Sequence, residues 1–137
     1  MKTVNFIFIR HGESCQQVAY DNASIENYKK LYWLFSDPTL SDRGEIQSIN
    51  AGKEYVEKFK KEFNINSFDI IGSSLMLRTI ETAYYMTNEY NPDNIYVYPF
   101  LRECDKCNYK DNAKELNKIW PMKSIFEQKE YLKSKNI

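Results

Sequence analysis

The stretch IRHGES, residues 9–14, closes an apolar run that begins at Val4. Because the run from Val4 to Ile9 carries too many apolar side chains for a sheet with one solvated face, we expect a buried strand there. Ligands of open α/β sheets collect beyond the carboxyl ends of the strands, where Arg10 and His11 lie. His11 is the only histidine in the chain. An arginine and a histidine at this position predict an anion site, with phosphate as the first candidate.

Size and charge restrict the class of the protein. Its 137 residues suffice for one domain with a real core, so we expect residues 1–137 to form a single domain. The 19 basic and 19 acidic residues balance, which argues against a nucleic-acid-binding surface and against an acidic tail. No apolar run is long enough to span a bilayer, and residues 1–3 lead into the predicted strand instead of a signal peptide. We therefore expect neither nucleic acid nor membrane as a partner.

The cysteines bear on location and on metal binding. Cys15, Cys104 and Cys107 give an odd number without a disulfide framework, which favours a reducing compartment and a cytoplasmic location. Cys104 and Cys107 have the C-x-x-C spacing of redox and metal motifs. With only Cys15 as a further thiolate and His11 assigned to the anion site, a four-ligand zinc site cannot be completed. We therefore predict no metal site.

The remaining pattern alternates helices and strands. The predicted elements are a helix from a cap at Ser41 or Asp42 to Phe63, ended by Asn64, a strand over 68–71, a helix over 75–90 and a strand over 95–98. Residues 25–35 form either a helix or an irregular excursion. The tail is predicted to hold helices over 112–120 and 124–135, separated by Pro121. This order implies an α/β fold with a parallel sheet and helices on its faces.

Polar residues follow each of the three predicted strands. They are Arg10, His11 and Ser14 after the first, Ser73, Ser74 and Arg78 after the second, and Arg102 and Glu103 after the third. Because the carboxyl ends of parallel strands meet at one edge, we expect these groups to share a rim. Arg10 and Arg78 would bind a phosphoryl group there through charge-assisted hydrogen bonds. The N-terminus of the helix from Leu75 would add its N–H groups.

His11 is then placed to act as a nucleophile. Its Nδ1–H would donate to a nearby backbone carbonyl, which leaves Nε2 unprotonated and aimed at phosphorus. Glu103 is the candidate general acid for the leaving alkoxide. Since the arginines neutralise the charge of the transferring phosphoryl group, no cofactor is required. Taken singly, Arg78 and Glu103 would more often be solvated surface charges.

Four ordered segments carry a resemblance to a known family. They are Arg10-His11-Gly12-Glu13-Ser14; Asp37-Pro38-Thr39-Leu40-Ser41-Asp42-Arg43-Gly44 with Gln47; Phe68-Asp69, Ser73-Ser74-Leu75 and Arg78 with Thr82-Ala83; and Leu101-Arg102-Glu103. Together they resemble the signature segments of the histidine phosphatase superfamily, the phosphoglycerate-mutase-like group. Four segments in order are far more specific than any one of them.

The resemblance implies a fold and a set of roles. The fold would be a three-layer α/β/α sandwich with a mostly parallel sheet. His11 would carry the phosphoryl group as phosphohistidine, Glu103 would donate the proton, and Arg10 and Arg78 would bind the phosphate. Ser14 and Gln17 would complete the phosphate pocket, although Gln17 stands where many members carry asparagine.

Two departures from the family pattern narrow the function. After Glu103 the chain lacks the Arg-His-Tyr-Gly run of the glycolytic mutases, which favours a phosphatase branch. Members also carry a second histidine on a later strand, and this sequence reaches Ile137 without one. We therefore expect a domain that is truncated at its C-terminus relative to the family and lacks a central strand. Unpaired strand edges would follow, and with them self-association or a partner chain that covers the edge.

Two functions remain open at this point. The first is a phosphatase that hydrolyses a phosphate monoester through a phosphohistidine at His11. The second is a catalytically impaired or dead family member, a pseudophosphatase or a truncated gene product, that binds a phosphorylated ligand or a partner protein. The expected ligand in both cases is a phosphorylated small molecule or a phosphoprotein.

Overall fold

A computed structural model describes residues 4–24, 37–90, 94–98, 101 and 123–137. The predicted elements over residues 25–35 and 112–120 lie outside this part of the chain, as do Glu103 and the Cys104–Cys107 pair. The described elements are α1 (Cys15–Asp21), α2 (Asp42–Ala51), α3 (Glu57–Phe63), β1 (Ile71–Ser73), α4 (Leu77–Thr87), β2 (Ile95–Val97) and α5 (Ile125–Ser134). A π-turn over Gly52–Val56 joins α2 to α3, and a 3₁₀ turn over Asn88–Tyr90 extends α4.

The sheet is small and parallel. β1 pairs with β2 in the register Ile71 to Ile95, Gly72 to Tyr96 and Ser73 to Val97. The α/β fold and the parallel pairing are thereby confirmed. β1 spans Ile71–Ser73 and so begins three residues later than the strand predicted over 68–71. The backbone N–H of Tyr98 also donates to the carbonyl oxygen of Ser73 at 2.7 Å.

The helix predicted from Ser41 to Phe63 is present, with one interruption. Ser41 caps α2 by accepting from the N–H of Gly44 at 3.1 Å, and Asn64 ends α3 in the left-handed conformation with φ 51°. The π-turn separates α2 from α3. At Gly52 a Cβ atom would lie 2.2 Å from the carbonyl oxygen of Met86, so the glycine allows the backbone of α4 to approach closely.

The core lies between α2 and α4. Its buried apolar side chains are Leu40, Val56, Met76, Leu77, Ile80 and Met86. Met76 and Ile80, four residues apart, belong to the buried face of α4 and its N-cap. The helix itself starts at Leu77 instead of Leu75, with Met76 as its extended N-cap residue.

The prediction of a buried strand over residues 4–9 is wrong for this structure. This apolar segment (residues 4–9) is assigned to no strand, and Val4, Phe6 and Phe8 are 70%, 76% and 87% exposed. Such a pattern is typical of a strand with neighbours on both sides. Within the described residues, neither β1 nor β2 pairs with the segment, so its side chains face solvent.

Helix α5 docks through polar contacts, while Ile125 and Phe126 at its start are exposed. Its predicted position is confirmed, and Ser124 caps it in a reciprocal pair with Glu127. Tyr131 donates to Glu81 Oε1 at 2.6 Å. Gln128 donates to Asp37 Oδ2, and Lys135 forms an ion pair with Glu45 at 2.9 Å. Three earlier parts of the chain thus hold this helix.

Candidate active site around His11

Arg10 and His11 lie on an open, polar cleft of about 230 Å³. Among the described residues, its lining consists of Arg10, His11, Glu13, Gln17, Asp21 and Gln47. A second, smaller pocket of about 170 Å³ adjoins it and shares Arg10, His11 and Gln47 with it. Arg10 and His11, which are neighbours in the sequence, thus both contribute to this cleft.

The ring of His11 has a defined orientation. Its Nδ1 lies 2.7 Å from the carbonyl oxygen of Gly12. A carbonyl oxygen only accepts hydrogen bonds, so Nδ1 carries the proton and donates. This confirms the predicted hydrogen bond. In this tautomer Nε2 is the unprotonated ring nitrogen.

Residues 12–17, which comprise a short loop and the first turn of α1 and are here called the anchored loop, are held by the turn that precedes α2. Ser14 forms an antiparallel bridge with Leu40. The N–H of Cys15 donates to the carbonyl oxygen of Thr39, and the N–H of Ser41 donates to that of Glu13, both at 3.0 Å. Buried backbone groups must be paired, and these bonds satisfy them without a neighbouring strand. The loop after His11 is therefore fixed although the segment before it is not.

Two glycines bring the loop and α2 into contact. A Cβ atom at Gly12 would lie 2.7 Å from the carbonyl oxygen of Gly44. A Cβ atom at Gly44 would lie 2.0 Å from the carbonyl oxygen of Glu13. Neither position has room for a side chain, because the obstructing atoms belong to the backbone. The motif glycines of both segments are explained by this close approach.

One side chain from each of two helices reaches the loop. The backbone N–H of Gly12 donates to Thr82 Oγ1 at 3.1 Å, and that of Glu13 donates to Gln47 Oε1 at 2.9 Å. Thr82 belongs to α4 and Gln47 to α2. Neither was singled out as a site residue from the sequence, although both fall within the family-like segments.

The N-terminus of α4 is occupied by a side chain of this chain. Asp37 Oδ1 accepts from the N–H of Leu77, the first residue of the helix, at 2.8 Å. Burial raises the pKa of Asp37, while hydrogen bonds from Gln128 and Leu77 and the charge of Arg78 oppose that rise. An internal carboxyl group thus accepts the first N–H of α4, at the N-terminus that was predicted to face a bound phosphate.

Ser73, Ser74 and Arg78, the other described residues predicted for this rim, are not among the residues that line the cleft. Arg78 is 4% exposed, so the alternative of a surface charge is wrong for it. Of the described residues that line the cleft, Arg78 is not one. The hydroxyls of Ser73 and Ser74 contact Thr79 Oγ1 at 3.1 and 2.7 Å. The described contact between the loop after His11 and α4 is made by Thr82, one turn beyond Arg78.

Ser14 and Gln17 form the start of a helix that the sequence analysis missed. The Ser14 hydroxyl accepts from the N–H of Gln17, and Gln17 Oε1 accepts from the N–H of Ser14 at 3.0 Å. Ser14 is buried by this capping box, whereas Gln17 lines the cleft. A serine followed three residues later by glutamine is a start signal for a helix, and α1 was predictable from it.

Two features are absent from the described part of the chain. In residues 4–24, 37–90, 94–98, 101 and 123–137, no group of three or more His, Cys, Asp or Glu side chains is placed to hold a metal ion. None of the helices described here is long and apolar enough to cross a membrane.

The fold and the cleft define an α/β protein with a histidine at the mouth of a polar cleft. The chain belongs to the histidine phosphatase superfamily (branch 1), which it matches over residues 6–131. It is similar to the 2,3-bisphosphoglycerate-dependent phosphoglycerate mutase of Staphylococcus saprophyticus, with 32% identity over 85 residues. That alignment covers 62% of this chain and 30% of the mutase. No solved structure matches the chain.

Proposed function

We propose that the protein binds a phosphate monoester in the polar cleft and hydrolyses it through a phosphohistidine at His11. The observation that carries this proposal is the hydrogen bond from His11 Nδ1 to the Gly12 carbonyl, 2.7 Å long. It assigns the ring proton to Nδ1, which makes Nε2 the nucleophilic nitrogen, and His11 lines the cleft together with Arg10. Family membership supports a phosphoryl-transfer site at this place.

In the proposed reaction, Nε2 of His11 forms a bond to phosphorus while the bond from phosphorus to the ester oxygen breaks. Arg10 stabilises the charge on the phosphoryl oxygens, and Arg78 is the second candidate for this role. The ester oxygen leaves with a proton that we assign to Glu103. A water molecule then attacks phosphorus and gives a proton back to Glu103 while the bond from phosphorus to Nε2 breaks, which restores His11 and releases phosphate.

A second candidate function is binding without turnover. The observation that favours it is the composition of the site: His11 is the single histidine of the chain, and it shares the described cleft with two carboxylates, Glu13 and Asp21. Such a site would retain a phosphorylated small molecule or a phosphoprotein and hydrolyse it slowly or not at all. For both functions we propose a cytoplasmic location, which the cysteine content favours.

The test is a comparison of hydrolysis and phosphoenzyme formation in the wild type and in His11→Ala. We expect the wild-type chain to release phosphate from an activated aryl phosphate and to show a phosphohistidine signal by ³¹P NMR during turnover. His11→Ala should show neither. An Asn50→Ala variant, at an exposed position of α2 outside the cleft, is the control. Saturable binding of the ester without hydrolysis would select the second function, and equal hydrolysis by His11→Ala would contradict the first.

A further inference from the structure

We infer that Gln47 and Thr82 are positioning residues that set the tautomer of His11 by holding the two peptide groups on either side of Gly12. Thr82 Oγ1 accepts from the N–H of Gly12, and Gln47 Oε1 accepts from the N–H of Glu13. The consequence for catalysis rests on the proposed function. The effect on the histidine ring does not, and it can be measured by itself.

The contact to Gln47 acts on the hydrogen-bond partner of His11. The carbonyl of Gly12 and the N–H of Glu13 belong to one planar peptide group, so fixing one of them fixes the direction of the other. Gln47 holds the N–H at 2.9 Å, and the carbonyl oxygen on the opposite side accepts from His11 Nδ1 at 2.7 Å. Hydrogen bonds in such a chain also polarise one another, which strengthens the bond to the ring.

The contact to Thr82 holds the preceding peptide group. Thr82 is buried, and its hydroxyl donates to the carbonyl oxygen of Arg78 at 2.7 Å. The hydroxyl hydrogen is therefore directed along α4, and the oxygen is available to accept from Gly12 at 3.1 Å. This bond joins the loop to the interior of a helix instead of to another loop.

Gly12 explains why two such contacts are needed. The close approach to Gly44 requires a glycine at this position, and glycine has the least restricted backbone of any residue. With the peptide groups before and after it both held, φ and ψ of Gly12 are fixed. The contacts from Thr82 and Gln47 thus restrict the backbone of Gly12, which has no Cβ atom to restrict it.

The experiment uses the fact that His11 is the only histidine, so one imidazole ring gives all histidine signals. Long-range ¹H–¹⁵N spectra of the uniformly labelled chain report which ring nitrogen carries the proton. Recording them on the alkaline side of the ring's own titration, followed in the same spectra, isolates the neutral ring. We expect the Nδ1–H form to dominate in the wild type.

Loss of either contact should lower the ratio of the Nδ1–H form to the Nε2–H form by about two- to tenfold, the range of one net hydrogen bond. Thr82→Val removes the hydroxyl at nearly constant volume. Its change in the tautomer ratio should lie near the upper end of this range, because the site is buried. Gln47→Ala should lie near the lower end, because Gln47 is exposed. Thr82→Ser retains the hydroxyl and should restore the wild-type ratio.

Matched controls separate positioning from stability. Thr87 lies on the same helix as Thr82, is also buried, and donates to the carbonyl oxygen of Ala83 at 2.7 Å without touching the loop. Thr87→Val should therefore cost similar stability and leave the ring spectrum unchanged. Asn50→Ala is the control for Gln47 on α2.

Each outcome decides the inference. A wild-type tautomer ratio in Gln47→Ala and in folded Thr82→Val would overturn it, and so would an equal change in Thr87→Val. Should Thr82→Val fail to fold, the exposed Gln47→Ala decides alone. A changed ratio in a chain that hydrolyses nothing would support the inference and contradict the phosphatase proposal. If the chain is active, both variants should lower kcat, and Thr82→Val, which lies outside the lining of the polar cleft, should leave KM unchanged.

Discussion

The apolar segment and the anchored loop follow each other in the chain and differ in how they are held. In the apolar segment, Phe6 and Phe8 stack on each other at 6.3 Å in solvent, and neither described strand pairs with it. The six residues of the anchored loop are held by a β-bridge, by the close approach of two glycines to the opposing backbone, and by two helix side chains. The difference teaches that His11 owes its position to the polar residues after it and not to the strand-like residues before it.

The largest effect on stability is expected from a substitution that separates the anchored loop from α2. Gly44→Ala places a Cβ atom 2.0 Å from the carbonyl oxygen of Glu13, so the loop or the helix must move. Alanine in a helix normally stabilises by about 1 kcal/mol relative to glycine. Here we expect the opposite sign and a loss of about 3 kcal/mol, the upper range for overpacking.

Urea unfolding of Gly44→Ala measures this loss. Gly72→Ala is the control, since its Cβ atom would meet the side-chain ring of Tyr98 instead of backbone, and a ring can move. Unchanged stability in Gly44→Ala would mean that the loop is not held by this contact.

The second test concerns the apolar segment, which we expect to pair with the same segment of a second copy across a two-fold axis. Phenylalanines bury about 150–250 Å² each, so the exposed rings of two copies supply about 600 Å² before Val4, Ile9 and the backbone are counted. Specific interfaces begin near 1,000 Å². The wild type should therefore sediment as a dimer, and Phe6→Lys with Phe8→Lys as a monomer.

The control for this test is Phe126→Lys, an equally exposed phenylalanine on α5. It should leave the dimer intact. A wild type that stays monomeric at high concentration contradicts the pairing, and a dimer that survives the double change places the interface elsewhere.

The smallest expected effect is a change of the melting temperature with pH. Asp37 and Glu81 both have a raised pKa, and burial is the largest cause in each case. A carboxyl group with a raised pKa in the folded state favours folding when it is protonated, so its contribution is largest below the unfolded value and is lost as the pH rises through the folded value. We therefore expect the melting temperature to rise slightly as the pH falls from 7 towards 5.

Glu81→Gln should flatten this rise, because the amide does not titrate. The control is Glu127→Gln, since hydrogen bonds to Ser124 lower the pKa of the exposed Glu127 carboxyl. A melting temperature that falls steadily with acid in the wild type would contradict the expectation.

Local signals in the sequence were sufficient to predict where several of the described helices begin and end. Ser41, Ser124 and Asn64 act through neighbours within a few residues, so their caps and stops were predictable. Helix α1 was equally predictable from Ser14 and Gln17, and it was overlooked. The parallel pairing of β1 and β2 followed from the alternation of elements.

Signals that depend on distant residues were not readable. The apolar segment has the composition of a buried strand, but burial of a strand depends on its neighbours, which composition does not show. The occupancy of the α4 N-terminus by Asp37 joins positions 40 residues apart. The contact from Gly12 to Thr82 spans 70 residues, and no local pattern announces it.

The polar docking of α5 has a consequence for the order of folding. Its bonds to Asp37, Glu81 and Glu45 close loops of 91, 50 and 90 residues. Loop closure of that length costs entropy before any contact compensates for it, so contacts between nearby residues form first. The reciprocal cap at Ser124 starts the helix locally, and the docking of the finished helix is a late event. Its amides should therefore exchange with solvent through an opening that releases α5 and leaves α2 and α4 packed.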